Sequence, residues 1–186
     1  MNGTQASLID KIVAIHDALD RVGVPHAFGG ALALAWCTGR ARGTIDIDIN
    51  VFAPTEQGES VARALPPDVA WSAADVAALQ REGQQRLWWG PTPVDVFLNT
   101  TAFHEQAMLR IARYRFAERD MPFLGCSDLA VFKCFFNRTK DWADIEDMLS
   151  FGSLDTDRVL GVLAHYLGAD DQRVARLLGL LGRPSG

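Results

Sequence analysis

Asp46 and Asp48 stand one residue apart in "TIDIDINVF", a stretch whose apolar and polar residues alternate with the period of a β-strand. Side chains at i and i+2 share a strand face. Ile45, Ile47, Ile49 and Val51 are therefore expected to enter a core, with both aspartates on the other side. Two adjacent carboxylates repel, and burying such a pair unpartnered is costly. A hard cation removes that cost, and an all-oxygen donor set suits magnesium or manganese. "TPVDVFLN" repeats the arrangement, and Asp95 becomes a third carboxylate on the same face if the two strands are neighbours. Three carboxylates on paired strands can hold two metal ions, which activate an acceptor hydroxyl and stabilise departing pyrophosphate. Taken alone, the aspartates also suit the solvent face of an edge strand.

The residues upstream favour the chemical reading. Gly29-Gly30 opens an alanine-rich helix, so backbone N–H groups and the positive helix end can approach a phosphate. The stretch is neither a Walker A nor a GxGxxG motif. Arg40, Arg42 and Thr44 lie just before the aspartates and are suited to binding and neutralising polyphosphate.

The elements that must position these groups follow from pattern. Leu8, Ile12, Ile15, Leu19 and Val22 form a helical stripe, and "VGVPHAF" reads as a turn and short strand. Gly39 suits a left-handed helix end. "PTEQGESVARAL" and "SAADVAALQRE" read as helices, "QQRLWWG" as a strand, and "RYRFAERDMPFLG" as a hairpin around Glu118–Asp120. Ser127 and Thr139 are candidate caps of two further helices, and helices near Asp155–Leu167 and Asp171–Leu181 follow. The order is mixed α/β first, then helical from about Ser127.

Length bounds the chain to one domain, or one with a small helical appendage. No apolar run approaches the roughly 20 residues needed to span a bilayer, and the amino terminus does not read as a signal peptide, so the expectation is a cytoplasmic protein. Three scattered cysteines and four scattered histidines argue against a disulfide framework or a zinc site. A net charge of -5 argues against indiscriminate nucleic-acid coating, although Arg110, Arg113, Arg115 and Arg119 make a local basic run. That run reads first as a solvated face and second as an RNA-phosphate contact.

Gly-Gly, then Asp-x-Asp on a strand, then a third aspartate on a later strand resembles the polymerase-β-type nucleotidyltransferase superfamily. "GGALALAWCTGRARGTIDIDI" is similar to AbiEii-like nucleotidyltransferases, which include the MenT-type toxins of toxin–antitoxin pairs. "DLAVFKCFFNRTKDWADIEDML" resembles their helical Lys, Arg, Lys-Asp-x-x-Asp signature. The resemblance spans about Phe28 to Leu149. It departs in Gly-Gly where many members have Gly-Ser, which removes one hydroxyl that could bind phosphate.

The resemblance implies an α/β (α+β) fold, with a nucleotidyltransferase core over 1–126 built on a small mixed sheet. A C-terminal helical bundle over 127–186 would follow. It implies that Gly29 and Gly30 hold nucleotide phosphates and that Asp46 and Asp48 bind Mg2+ or Mn2+. Asp95 would be a metal ligand or a base toward the acceptor, and Lys133 a triphosphate contact. Asp141 and Asp144 match the late acidic pair, Asp144 being the better candidate for the site. Alternatives from the residues stand beside this: Lys133 as a snorkelling lysine, Lys140 and Asp144 as a surface i,i+4 pair, and Trp88 or Trp89 as a stacking ring.

The expected reaction moves NMP from an NTP to an acceptor hydroxyl. The acceptor reads first as the tRNA 3' end, in a toxin held by a cognate antitoxin. The second reading is a small molecule of aminoglycoside or lincosamide type, which the acidic net charge suits. A non-catalytic nucleotide-binding protein is the third.

Overall fold

Ser7 starts the first helix, α1 (Leu8–Arg21), through a capping box: its hydroxyl accepts from the Asp10 N–H while the Asp10 carboxylate accepts from the Ser7 N–H. Ile12, Ile15 and Leu19 are buried, as the stripe predicts. β1 (His26–Phe28) and α2 (Gly30–Thr38) follow, and Gly39 at φ +64 ends the helix. β2 (Ile47–Pro54) leads through a 3-10 turn (Thr55–Gln57) into α3 (Gly58–Ala64) and α4 (Ala73–Glu82), the latter capped by Ser72. β3 (Gln84–Trp89) and β4 (Thr92–Asn99) precede a short helix, α5 (Ala102–Met108), and the hairpin of β5 (Ala112–Phe116) and β6 (Arg119–Phe123). α6 (Cys126–Phe136), α7 (Thr139–Phe151), α8 (Thr156–Leu167) and α9 (Gln172–Leu181) complete the chain. This computed structural model describes residues 6–182.

The strands form one mixed sheet in the order β3-β4-β2-β1-β6-β5. β2 pairs in parallel with β4 and antiparallel with β1, which is itself parallel to β6. The two hairpins, β3–β4 and β5–β6, close its ends. A mixed α/β fold is thus observed, as expected from the sequence. No helix among the described residues is long and apolar enough to cross a membrane.

The chain divides into two compact units. Of the described residues, the first holds the sheet and comprises those up to Leu32 and Gly43–Leu124; the second joins Ala33–Arg42 to those from Gly125 to Gly182. α2 therefore begins in the first unit and continues in the second. Within the second, α6 packs on α7 and α8, and α8 on α9.

Several local expectations are corrected. Ile45 is 79% exposed rather than in the core, because the β2 ladder begins only at Ile47. The β5–β6 turn falls at Ala117 and Glu118, both at positive φ, one step before the expected place. Ser127 does not cap α6; Gly125 precedes that helix, and the Ser127 hydroxyl accepts from the Asp155 N–H. Arg138, not Thr139, occupies the cap of α7, where Asp141 reaches back to the Arg138 N–H.

The scattered cysteines also read differently once folded. Cys37 and Cys126, 89 residues apart, form a disulfide within the second unit, with Cα atoms 5.4 Å apart. An odd cysteine count forbids a framework but not one pair, and sequence distance hides a pair that only the fold brings together. Cys134 remains a free, buried thiol, pushed up to about 12 chiefly by burial. Closing so long a loop restricts the unfolded chain by about 4.6 kcal/mol in the entropic model. Reduction should therefore lower the urea midpoint, and a Cys37→Ser/Cys126→Ser variant should match the reduced protein and ignore reductant. An unchanged midpoint on reduction would show that the bond contributes nothing.

A buried histidine pair sets a pH dependence in the first unit. His26 Nδ1 lies 2.8 Å from the Val24 carbonyl and must donate to it; its Nε2 then accepts from His16 Nδ1 at 2.9 Å. Burial, chiefly, pushes both rings below their ordinary 6.5, and the His104 ring likewise. The unfolded chain then binds these protons first, so stability is complete above about pH 6.5 and falls as pH drops below it. Thermal midpoints should decline between about pH 7 and about pH 5, and less steeply in His16→Gln. Equal slopes would assign the decline to other groups.

Candidate functional site

Asp46, Asp48 and Asp95 lie in the first unit. β2 and β4 are neighbours, and Asp48 stands directly across from Asp95 in their ladder. Directly paired residues share a face, so the conditional placement of Asp95 holds. Asp46 sits just before β2 rather than in it, and its carboxylate accepts from the Thr44 hydroxyl.

Gly29 and Gly30 meet Asp48 directly. The Gly29 N–H donates to the Asp48 carbonyl at 2.9 Å. Gly30 has φ +50, and a Cβ there would fall 1.8 Å from Asp48 Oδ2. The space that a side chain would fill at the start of α2 is therefore taken by the Asp48 carboxylate. Gly29 is less constrained; its Cβ would stand 3.0 Å from Asn50 Nδ2.

Sequence reasoning passed over the residue that completes this cluster, Arg86. It faces Asp95 from β3, with Nε and Nη2 each donating to one Asp95 oxygen at 2.7 Å. The same Nη2 lies 4.0 Å from Asp46 Oδ2. Its guanidinium is held above its ordinary value, first by the Asp95 hydrogen bonds, with the Asp95, Asp46 and Asp48 charges adding. The signal was in the sequence: Gly90-Pro91 is a two-residue hairpin turn, and counting outward from Trp89 and Thr92 places Arg86 opposite Asp95. Trp88, two residues further along the same strand face, is 47% exposed.

The oxygen donors of Asp46, Asp48 and Asp95 have the chemistry for a hard divalent cation, and the register of Asp48 on Asp95 makes two of them neighbours. Among the described residues no three His, Cys, Asp or Glu side chains converge as a ready-made metal cage. Asp95 is turned to Arg86 instead.

The helical signature residues form a separate network in the second unit. Lys133 is buried, not snorkelling: Nζ donates to Asp144 Oδ2 at 2.6 Å and lies 3.7 Å from Asp141 Oδ1. Arg42 forks onto Asp144 at 2.6 and 3.0 Å. Arg138 forks onto Asp141 at 2.7 and 3.1 Å. Burial would raise the Asp141 carboxyl, but the Arg138 hydrogen bonds and the Lys133 and Arg138 charges outweigh it and hold it low. Asp144 is thus no surface partner of Lys140, which is exposed. Two buried carboxylates demand such compensation, and three cations supply it.

Three arginines of the basic run form exposed ion pairs. Arg113 pairs with Asp120, Arg115 with Glu118 and Arg119 with Asp17. A cleft of about 850 Å³ in the first unit, lined in part by Asp17, Arg21, Arg63 and Trp71, contains none of the expected metal- or nucleotide-binding residues, though the candidate stacking ring Trp89 lines it.

This architecture is a nucleotidyltransferase fold, by likeness to solved structures. ANT(2'')-Ia in complex with adenylyl-2''-tobramycin is 14% identical with a TM-score of 0.59, the match covering 95% of this chain and 100% of that one. Lincomycin-bound LnuA, a lincosamide antibiotic adenylyltransferase, is 15% identical with a TM-score of 0.54, covering 80% of this chain and 99% of that one. An antigenic nucleotidyltransferase-like protein from Paracoccidioides brasiliensis is 14% identical with a TM-score of 0.50, covering 92% and 86% respectively. No family model matches the sequence, and no curated protein does.

Proposed function

We propose that this protein is a divalent-cation-dependent nucleotidyltransferase that moves NMP from an NTP to an acceptor hydroxyl. The observation that carries the reading is the direct pairing of Asp48 with Asp95, with Gly30 bare against the Asp48 carboxylate, on a sheet of this fold. The acceptor oxygen attacks the α-phosphorus in line, the bond to the bridging oxygen breaks, and pyrophosphate leaves. Asp46, Asp48 and Asp95 would hold Mg2+ or Mn2+, which supplies charge neutralisation on the triphosphate and lowers the proton affinity of the acceptor hydroxyl. Gly30 and the start of α2 would bring backbone N–H groups to the phosphates, while Gly29, its own N–H held by the Asp48 carbonyl, lets the chain pass close to them. Asp95 takes the acceptor proton. The Lys133–Asp144–Arg42 network braces the second unit, with Arg42 half exposed.

For the acceptor, the carboxylates beside Arg113, Arg115 and Arg119 cut the local positive field that would draw RNA, which favours a small hydroxylated, cationic molecule. The net charge of -5 points the same way. The AbiEii-like reading, a toxin acting on the tRNA 3' end and restrained by an antitoxin, is the second reading and rests on the sequence motifs. A transfer assay separates them. Each α-labelled NTP is incubated with Mg2+ and protein, and with an aminoglycoside and lincosamide panel, total tRNA, or no acceptor. Label on a drug supports the first reading and label on tRNA the second. No label on any acceptor, with nucleotide binding retained, leaves a binding protein.

A further inference from the structure

Arg86 is engaged with the carboxylates assigned above to a cation, and the inference drawn from it rests on that assignment. Arg86, Asp95 and Asp48 form a row across β3, β4 and β2, each directly opposite the next. Both Asp95 oxygens accept from the guanidinium at 2.7 Å, and Asp46 lies 4.0 Å from its outer nitrogen. The Asp95 side chain is 17% exposed and that of Arg86 50%. The anion is fixed in the sheet and the cation stands half in solvent, so the arginine is the partner free to leave.

Both Asp95 oxygens are engaged by the guanidinium, so a divalent cation that takes one of them competes with the fork. The same negative charge draws each of them, and at contact distance they repel. Arginine keeps its charge at any working pH, so proton loss does not clear the site; only displacement does. We propose that Arg86 is a resident counter-ion of the carboxylate cluster, exchanged for the divalent cation when that ion binds. It is a positioning residue: it holds Asp95 and the edge strand in register without metal. It also raises the cation concentration at which the site assembles.

Mn2+ binding to the nucleotide-free, full-length protein tests this, followed by the electron-spin signal of free Mn2+. Arg86→Gln should bind Mn2+ about tenfold tighter than the unaltered protein, the size expected for losing one charge-assisted bidentate pair. Arg86→Lys, which keeps a cation but loses the fork, should tighten binding by a smaller factor. Without metal, the thermal midpoint of Arg86→Gln should be lower, and Mn2+ should raise it by more than in the unaltered protein. A purely structural arginine would not tighten metal binding when removed. Equal or weaker affinity in Arg86→Gln, with binding abolished by Asp48→Asn, would overturn the exchange and leave the carboxylate site standing. No Mn2+ binding by either protein would overturn both. Should Arg86→Gln fail to fold, equal or weaker binding by Arg86→Lys overturns the exchange.

Discussion

Asp48→Asn should lower nucleotidyl transfer by about a thousandfold or more while the protein stays folded. The substitution keeps shape and removes a charge that faces Asp95 across the ladder. Losing one charge-stabilising group from an active site typically costs about a hundred- to a thousandfold, and a carboxylate shared by metal and phosphate sits at the upper end. A thousandfold is about 4 kcal/mol of transition-state stabilisation. Folding should move by less than about 1 kcal/mol, since one repulsive carboxylate pair disappears as the ligand does. Asp46→Asn and Asp95→Asn should behave alike in activity, but Asp95→Asn should also loosen Arg86. Initial rates over an Mg2+ series, with thermal unfolding alongside, check this. Asp48→Asn retaining near-full rate would remove the metal-site reading.

The second large effect is expected at Gly30. Its φ of +50 is unfavourable for any L side chain, by about 1–2 kcal/mol. A Cβ would in addition stand 1.8 Å from Asp48 Oδ2 and 2.5 Å from Cγ, so the carboxylate must rotate away. Gly30→Ala should lose activity by about a hundredfold or more, a loss comparable with removing an active-site group outright. Its stability should fall by about 1–3 kcal/mol. Gly23→Ala separates the two causes: φ there is +69 and nothing stands within 4 Å, so it reports backbone strain alone. Gly29→Ala, whose Cβ needs Asn50 to give only slightly, should be milder. Gly30→Ala and Gly23→Ala losing equal stability, both with full activity, would show that contact with Asp48 has no functional weight.

The local patterns were largely legible. The strand period of "TIDIDINVF" and "TPVDVFLN" foretold β2 and β4, and Gly29-Gly30 foretold the start of α2, because these depend on neighbours a few residues away. Ladder ends and caps were not: Ile45 has the right period but no partner strand, and Ser127 has the right chemistry but serves Asp155. Propensity marks candidates, and pairing decides which are used.

From the sequence alone came the residue types of the site, the strands that carry Asp48 and Asp95, and the helical character of the second half. What the tertiary structure decided is which charges meet. Arg42 and Asp144 are 102 positions apart, and Cys37 and Cys126 89. No period reaches across such distances. Their meeting depends on the path of the chain and on the high cost of burying a charge without a partner. The same cost explains why Lys133 lies buried between Asp141 and Asp144.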